Sequence, residues 1–226
     1  MSDSETTAPP ADPPRRIPRM GWAIAFIVFV MAIAYAFVQL RTIREYQQPS
    51  DLEKLAAVPA FNLVDQTGQP VSLEALAGEP WVANFIFTTC KGPCPLMTSR
   101  MSELAVKLGK AENVRLISFT VDPENDTPEV LAEYGRQVKA DPEQWRFVTG
   151  DPEQVRDRIV KGFLQPLGES REGEPVHSTR FVVVDAEGNI RSFREGMDPE
   201  VIPKLMIDIG GLLREQKTRS TLAPRS

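Results

Sequence analysis

The pattern of apolar and polar positions divides the chain into segments. Met20 to Val38 runs nineteen residues without a charge. At 1.5 Å per residue such a helix reaches roughly 28 Å, close to the hydrocarbon thickness of a bilayer. Trp22 and Tyr35 stand near its two ends, where interfacial aromatics gather. The run predicts a single transmembrane anchor over residues 20–40. Ala34-Tyr35-Ala36 has the small-x-small form of a signal cleavage site, but the apolar run continues past it, so a retained anchor is the reading. Residues 1–19, with Pro9, Pro10, Pro13, Pro14 and Pro18 among polar residues, read as a disordered leader. Its acids, Asp3, Glu5 and Asp12, speak against a mitochondrial targeting sequence. Residues 41–57 read as a tether.

Beyond the tether the periodicity alternates between strand and helix. Val58 to Leu63 and Val71 to Leu73, joined by Asp65-Gln66-Thr67-Gly68-Gln69-Pro70, predict an N-terminal β-hairpin. Trp81 to Phe87 is a near-continuous apolar run, the pattern of a strand buried on both faces. It empties into Thr88-Thr89-Cys90. Pro95 to Leu108 carries apolar residues at a helical period and stops at Gly109. Val114 to Val121 and Trp145 to Val148 read as strands. Thr127-Pro128-Glu129, Asp151-Pro152-Glu153 and Asp198-Pro199-Glu200 each open a helix with a capping side chain, a proline and an acid. Phe181 to Val184 and Ile190 to Phe193 form a second hairpin, and the last helix is expected to end near Arg214. Residues 216–226 read as a flexible tail. The order implies an α/β layered sheet over residues 58–215.

Charge and composition then narrow the function. The net charge is −5, but residues 1–44 hold five basic and three acidic side chains, which leaves −7 for residues 45–226. An acidic chain with a pI near 5.1 is not a binder of nucleic acid through its phosphates. Arg15, Arg16 and Arg19 precede the apolar run, while Arg41, Arg44 and Lys54 follow it, so the positive-inside rule is nearly balanced. Two cysteines, Cys90 and Cys94, and one histidine, His177, exclude a disulfide-rich scaffold, a four-cysteine zinc finger and any two-histidine metal centre.

Cys90-Lys91-Gly92-Pro93-Cys94-Pro95 sets two thiols three residues apart at the carboxyl end of the central strand, where a helix begins. This is the thioredoxin-like arrangement, with one residue more between the thiols than thioredoxin-type oxidoreductases use. The helix dipole and Lys91 are expected to favour thiolates there. The spacing permits a disulfide or a shared metal ion and does not choose between them. Met97 and Met101 read as core residues at helical spacing rather than thioether ligands. Asp122 and Asp126 read either as turn and cap residues or as supports of the site. His177 precedes the strand of the second hairpin, which in thioredoxin-like folds enters beside the cysteine loop.

As a set, these motifs resemble the Sco/SenC family, copper proteins of cytochrome oxidase assembly. The matching residues are Phe85-Ile86-Phe87-Thr88-Thr89-Cys90, then Cys94-Pro95-Leu96, Phe119-Thr120-Val121-Asp122-Pro123-Glu124-Asn125-Asp126-Thr127-Pro128, Trp145-Arg146-Phe147-Val148-Thr149-Gly150, and His177-Ser178 ahead of Val182-Val183-Val184-Asp185. The resemblance implies a thioredoxin-like domain held outside a bacterial inner membrane by one span. It implies one copper ion, Cu(I) or Cu(II), on Cys90, Cys94 and His177, delivered to a copper-receiving oxidase subunit or exchanged with other copper chaperones. Two thiolates and an imidazole suit copper in either state. The alternative is a thiol-disulfide oxidoreductase with Cys90 and Cys94 as the redox pair; a thiol peroxidase lacks its signature around either cysteine. Lys91, Gly92, Asn125 and Val176 depart from the family pattern.

Overall fold

The computed structural model describes residues 19–47, 52–109, 113–155, 162–163, 168–169, 175–176 and 178–222. They fall into two compact units, divided between Glu45 and Tyr46. The first holds all but the last two residues of α1, Arg19–Gln47. This helix outruns the expected boundary at residue 40, because Arg41 to Gln47 contains neither glycine nor proline and the next proline is Pro49. Among the described residues no helix is long and apolar enough to cross a membrane.

In the second unit, one sheet runs β1 (Ala56–Ala57), β10 (Asn189–Glu195), β9 (Arg180–Val184), β4 (Trp81–Ile86), β5 (Arg115–Thr120), β6 (Trp145–Thr149), β2 (Asn62–Asp65) and β3 (Pro70–Ser72) across its width. β4, β5 and β6 are parallel, and every other pairing in this sheet is antiparallel. Two short strands, β7 (Gly168–Glu169) and β8 (Pro175–Val176), pair separately. The predicted tether is thus partly structured: α1 takes its beginning, and Ala56–Ala57 pairs with Ile190 and Asn189 at the sheet edge.

All six residues of β4 are buried because both faces of the sheet are covered. Val82 and Ile86 pack with Leu116, Phe147 and Val183 beneath α2 (Cys94–Leu108), α3 (Pro128–Gln137) and α5 (Val201–Leu222). Trp81, Ala83 and Phe85 face the opposite way, toward Phe61, Leu63, Val71 and Phe163. Phe119 centres that second core, with its ring 5.4 Å from Phe163 and 5.6 Å from Phe61. The polar residue inside β4 is accounted for by a buried chain: Trp145 Nε1 donates to Ser118 Oγ at 2.8 Å, and Ser118 Oγ donates to Asn84 Oδ1 at 2.6 Å.

Both hairpin turns use one device. Asp65 Oδ1 accepts from the backbone N–H groups of Thr67 and Gln69, and Asp185 Oδ1 accepts from those of Glu187 and Asn189. Gly68 and Gly188 follow with φ of 79° and 81°, conformations that L side chains rarely adopt. The first strand of the leading hairpin begins at Asn62 rather than Val58, since Val58 bonds to Gly188 at the other side of the sheet.

The caps expected at Thr127 and Asp151 are present: Thr127 Oγ1 accepts from Val130 N–H, and Asp151 Oδ1 accepts from Gln154 N–H. The helix after Asp151, α4 (Pro152–Gln154), is short within the described residues. α5 extends to Leu222, so the expected tail is helical over residues 216–222. It is docked as well as helical: Gln216 Nε2 donates to the Gly78 carbonyl, and Arg219 pairs with Glu187 and with Glu215 one turn earlier. Gly210-Gly211 lies inside α5 without ending it, between buried Ile209 and Leu212.

Candidate metal centre

The cysteines lie where the central parallel strand ends and α2 starts. Cys90 N–H bonds back to Phe87 O at 3.2 Å, which turns the chain sharply off β4. Lys91 and Gly92 are exposed, and a side chain at Gly92 would only touch Cys90 Sγ at 3.9 Å, so a tight turn does not explain the glycine. Pro93 is the N-cap and offers no side-chain cap; its carbonyl accepts from Met97 N–H at 3.0 Å, and Cys94 takes the first helical position with Pro95 behind it.

The two cysteines are thiols in unlike surroundings. Cys90 is half-buried, whereas Cys94 is 2% exposed within the core beneath α2. The thiols stand within hydrogen-bonding reach of each other, a contact that fits two soft donors to one ion. Burial pushes the Cys94 thiol far above the ordinary thiol range; the hydrogen bond with Cys90 adds to the rise, and a backbone bond at Phe87 opposes it. This corrects the expectation of a dipole-favoured thiolate at Cys94. The first helical position does face the positive end of α2, but desolvation is the larger effect.

A ring of polar groups holds the loop. Asp126, just ahead of α3 and fully buried, accepts from Thr88 N–H and Thr88 Oγ1 and, through its other oxygen, from Thr120 Oγ1 at 2.5 Å. On the far side of the cysteines, Tyr134 Oη and Thr98 Oγ1 lie 2.8 Å apart, Thr98 standing one turn below Cys94. Burial raises the Tyr134 phenol, and the hydrogen bond with Thr98 opposes this. Asp126 is therefore a support of the cysteine loop, whereas Asp122 stays in its turn, accepting from Asn125 Nδ2 at 3.0 Å. Thr88, Thr98, Thr120 and Tyr134 did not stand out in the sequence. Thr88 is the one that carried a signal, as a polar residue directly after an apolar strand.

Met97 and Met101 are wholly buried in the core, as expected of packing residues. His177 lies outside the described residues. The chain resumes at Ser178 and Thr179, and Thr179 O accepts from Gly196 N–H at 2.8 Å. Gly196 in turn leaves no room for a side chain against Met97 and Thr179. Thr179 and the first turn of α2 thus share one glycine between them. Among the described residues no group of three or more His, Cys, Asp and Glu is gathered for a metal ion.

A mixed sheet with three parallel central strands, and a cysteine pair where the middle of the sheet meets a helix, define a thioredoxin-like domain. The SCO1/SenC family model matches residues 49–206, and the chain belongs to that family. The SCO1 protein homolog of Bacillus subtilis is 37% identical over 157 residues, covering 67% of this chain and 80% of the relative. The structure of BsSco, described as a member of the Sco family of cytochrome c oxidase assembly proteins with a disulfide switch, is 32% identical with a TM-score of 0.63, over 76% of this chain and 98% of that one. Copper-bound ScoI of Bradyrhizobium japonicum shares the fold at 24% identity and a TM-score of 0.56, over 72% of this chain and 99% of that one.

Proposed function

We propose that this chain is a membrane-anchored copper carrier that takes one copper ion on Cys90, Cys94 and His177 and delivers it to a copper-receiving subunit of cytochrome c oxidase. The observation that carries the reading is the pair of free thiols set where β4 gives way to α2, within hydrogen-bonding reach of each other. Copper is the cargo, and what the chain supplies is a soft donor pair at unequal depth. Cys90, the more accessible sulfur, is the atom a partner thiolate or imidazole meets first; Cys94 exchanges after it. Binding displaces the thiol protons, so copper loading and a Cys90–Cys94 disulfide exclude each other. The copper-bound relative and the family membership support the same reading.

The test is copper stoichiometry and affinity with the thiols reduced. The wild type is expected to hold about one copper per chain, and His177→Ala to bind at least tenfold more weakly. Equal binding by His177→Ala removes the three-ligand site. Failure of the wild type to hold copper removes the carrier.

A second reading is favoured by the same thiol contact and by the disulfide switch described for BsSco. The pair reduces a disulfide in a client protein: the client gains two electrons and two protons, and Cys90 and Cys94 become a disulfide. Reduction of such a client by wild type but not by Cys94→Ser, without copper, identifies it.

The anchor belongs to the same proposal. In α1 the consecutive residues Phe26 to Met31 are all exposed and apolar, on every side of the helix. A helix apolar all round requires an apolar solvent. The bacterial inner membrane supplies it, with residues 52–222 outside the cytoplasm.

A further inference from the structure

Asp126 is a buried acid that supports the cysteine loop but has no part in the carrier reading. Its carboxylate is 0% exposed and takes its hydrogen bonds from Thr88 N–H, Thr88 Oγ1 and Thr120 Oγ1. No lysine or arginine pairs with it among the described residues. It grips Thr88, two residues before Cys90, and lies near enough for its charge to act on Cys94. A structural cap has no need of such a position. Asp65 and Asp185 close their turns through backbone N–H groups two and four residues away and each faces an arginine, Arg146 and Arg191, whereas Asp126 reaches a residue 38 positions distant with no cation beside it among the described residues.

We propose that Asp126 is a positioning residue of the copper site, whose fixed negative charge biases bound copper toward Cu(II) over Cu(I). The inference rests on the copper reading above and concerns the ion's redox state, not its ligands. Two thiolates and a neutral imidazole around Cu(I) carry one net negative charge; around Cu(II) they carry none. Reduction of the bound ion, Cu(II) plus one electron, therefore adds negative charge beside a buried carboxylate, and the carboxylate opposes it. Lys91 acts in the other direction, but it is exposed and screened by water. The metal-free couple behaves differently. A disulfide plus two electrons and two protons becomes two neutral thiols, with no change of charge. Asp126 therefore moves the copper couple and leaves the dithiol couple nearly still.

The test uses the full chain with Asp126→Asn and Asp126→Glu. Competition against Cu(I)-selective and Cu(II)-selective chelators gives the ratio of the two affinities, and a dithiothreitol redox buffer gives the dithiol–disulfide equilibrium without metal. Asp126→Asn is expected to raise the Cu(I)-to-Cu(II) affinity ratio by about tenfold or more, roughly 59 mV in a one-electron potential. Asp126→Glu is expected to restore it, and the dithiol equilibrium to move much less than the ratio does. An unchanged ratio in Asp126→Asn overturns the proposal, and so does a parallel shift of both equilibria, the mark of a loop merely loosened. If Asp126→Asn does not fold, Thr120→Val keeps the charge and removes one donor. The ratio then moves toward Cu(II), and any other result counts against Asp126. A wild type that holds no copper sinks the carrier reading itself, whereas a copper-loaded wild type with an unmoved variant sinks only the role of Asp126.

Discussion

Replacing Ser118 with alanine tests whether the polar chain inside the sheet is as tightly accounted for as its geometry implies. Ser118 Oγ accepts from Trp145 Nε1 at 2.8 Å and donates to Asn84 Oδ1 at 2.6 Å, and Asn84, Ser118 and Trp145 are all essentially inaccessible to water. Removing the hydroxyl strands a buried indole N–H and a buried amide oxygen together. Asn84 Nδ2 already has no partner among the described residues, so the amide is left with none. Each stranded group costs about 1–3 kcal/mol. The small volume change from Ser to Ala adds little. The expected loss is therefore about 2–6 kcal/mol, large beside the about 5–15 kcal/mol that stabilises an ordinary domain. Urea unfolding, followed by tryptophan fluorescence with Trp145 at the lesion, measures it. A cycle against Trp145→Phe isolates the coupling, because in that background only Asn84 Oδ1 is stranded and the cost of Ser118→Ala is expected to fall by about half. A loss below about 0.5 kcal/mol, or the same loss in both backgrounds, refutes the reasoning.

Three further outcomes follow from other parts of the structure. Gly196→Ala places a methyl carbon 2.7 Å from Thr179 O and into the Met97 side chain; overpacking of this kind costs about 1–3 kcal/mol, and a fall in Tm of several degrees checks it, an unchanged Tm counting against the contact. Glu187 is held below its ordinary value of 4.5 chiefly by the hydrogen bond from Arg219, with Lys54 assisting. A lowered carboxylate stabilises above its unfolded pKa and loses that stabilisation as pH falls through the folded value. The pair is nearly half exposed, so screening keeps the effect of Glu187→Gln below about 1 kcal/mol at pH 7, and the two unfolding curves should converge in acid below the ordinary carboxylate range. Finally, the anchor predicts that the full chain stays with membranes through alkaline carbonate washing while a chain beginning at residue 52 is released; a full chain that washes off removes the anchor from the proposal.

Much of the fold was legible because its signals are local. The all-apolar run from Trp81 to Phe87 needed no partner to be identified as a central strand, and Asp65 and Asp185 with their glycines are turns wherever they occur. Errors arose where a distant contact decides. Residues 216–222 are polar and look frayed in isolation; they are helical where Gln216 meets Gly78 and Arg219 meets Glu187, more than thirty residues away in sequence. Residues 56–57 look like tether until Ile190 and Asn189 pair with them. The cysteine pair was legible from spacing and neighbours, but the protonation of Cys94 was not, because helix position is local and burial is not.

Asp126 marks the boundary between what a sequence shows and what only a fold supplies. Read along the chain it differs little from Asp65 or Asp185: an acid in a short polar stretch beside a strand, with a capping threonine next to it. The separation comes from the donors. Asp65 and Asp185 accept from their own turns and each also faces an arginine, Arg146 and Arg191. Asp126 accepts from Thr88 on the loop after β4 and from Thr120 at the end of β5, which are adjacent because Ile86 pairs in register with Thr120. Parallel pairing of β4 with β5 is thus what brings a loop acid onto the segment that leads into Cys90. The same register ends both strands at one level, so the loop that bears Cys90 and the loop that bears Asp126 emerge side by side. A shift of one residue in that pairing would separate the acid from Thr88 and leave the thiols without it. The parallel register therefore fixes where Asp126 stands relative to the loop that bears Cys90.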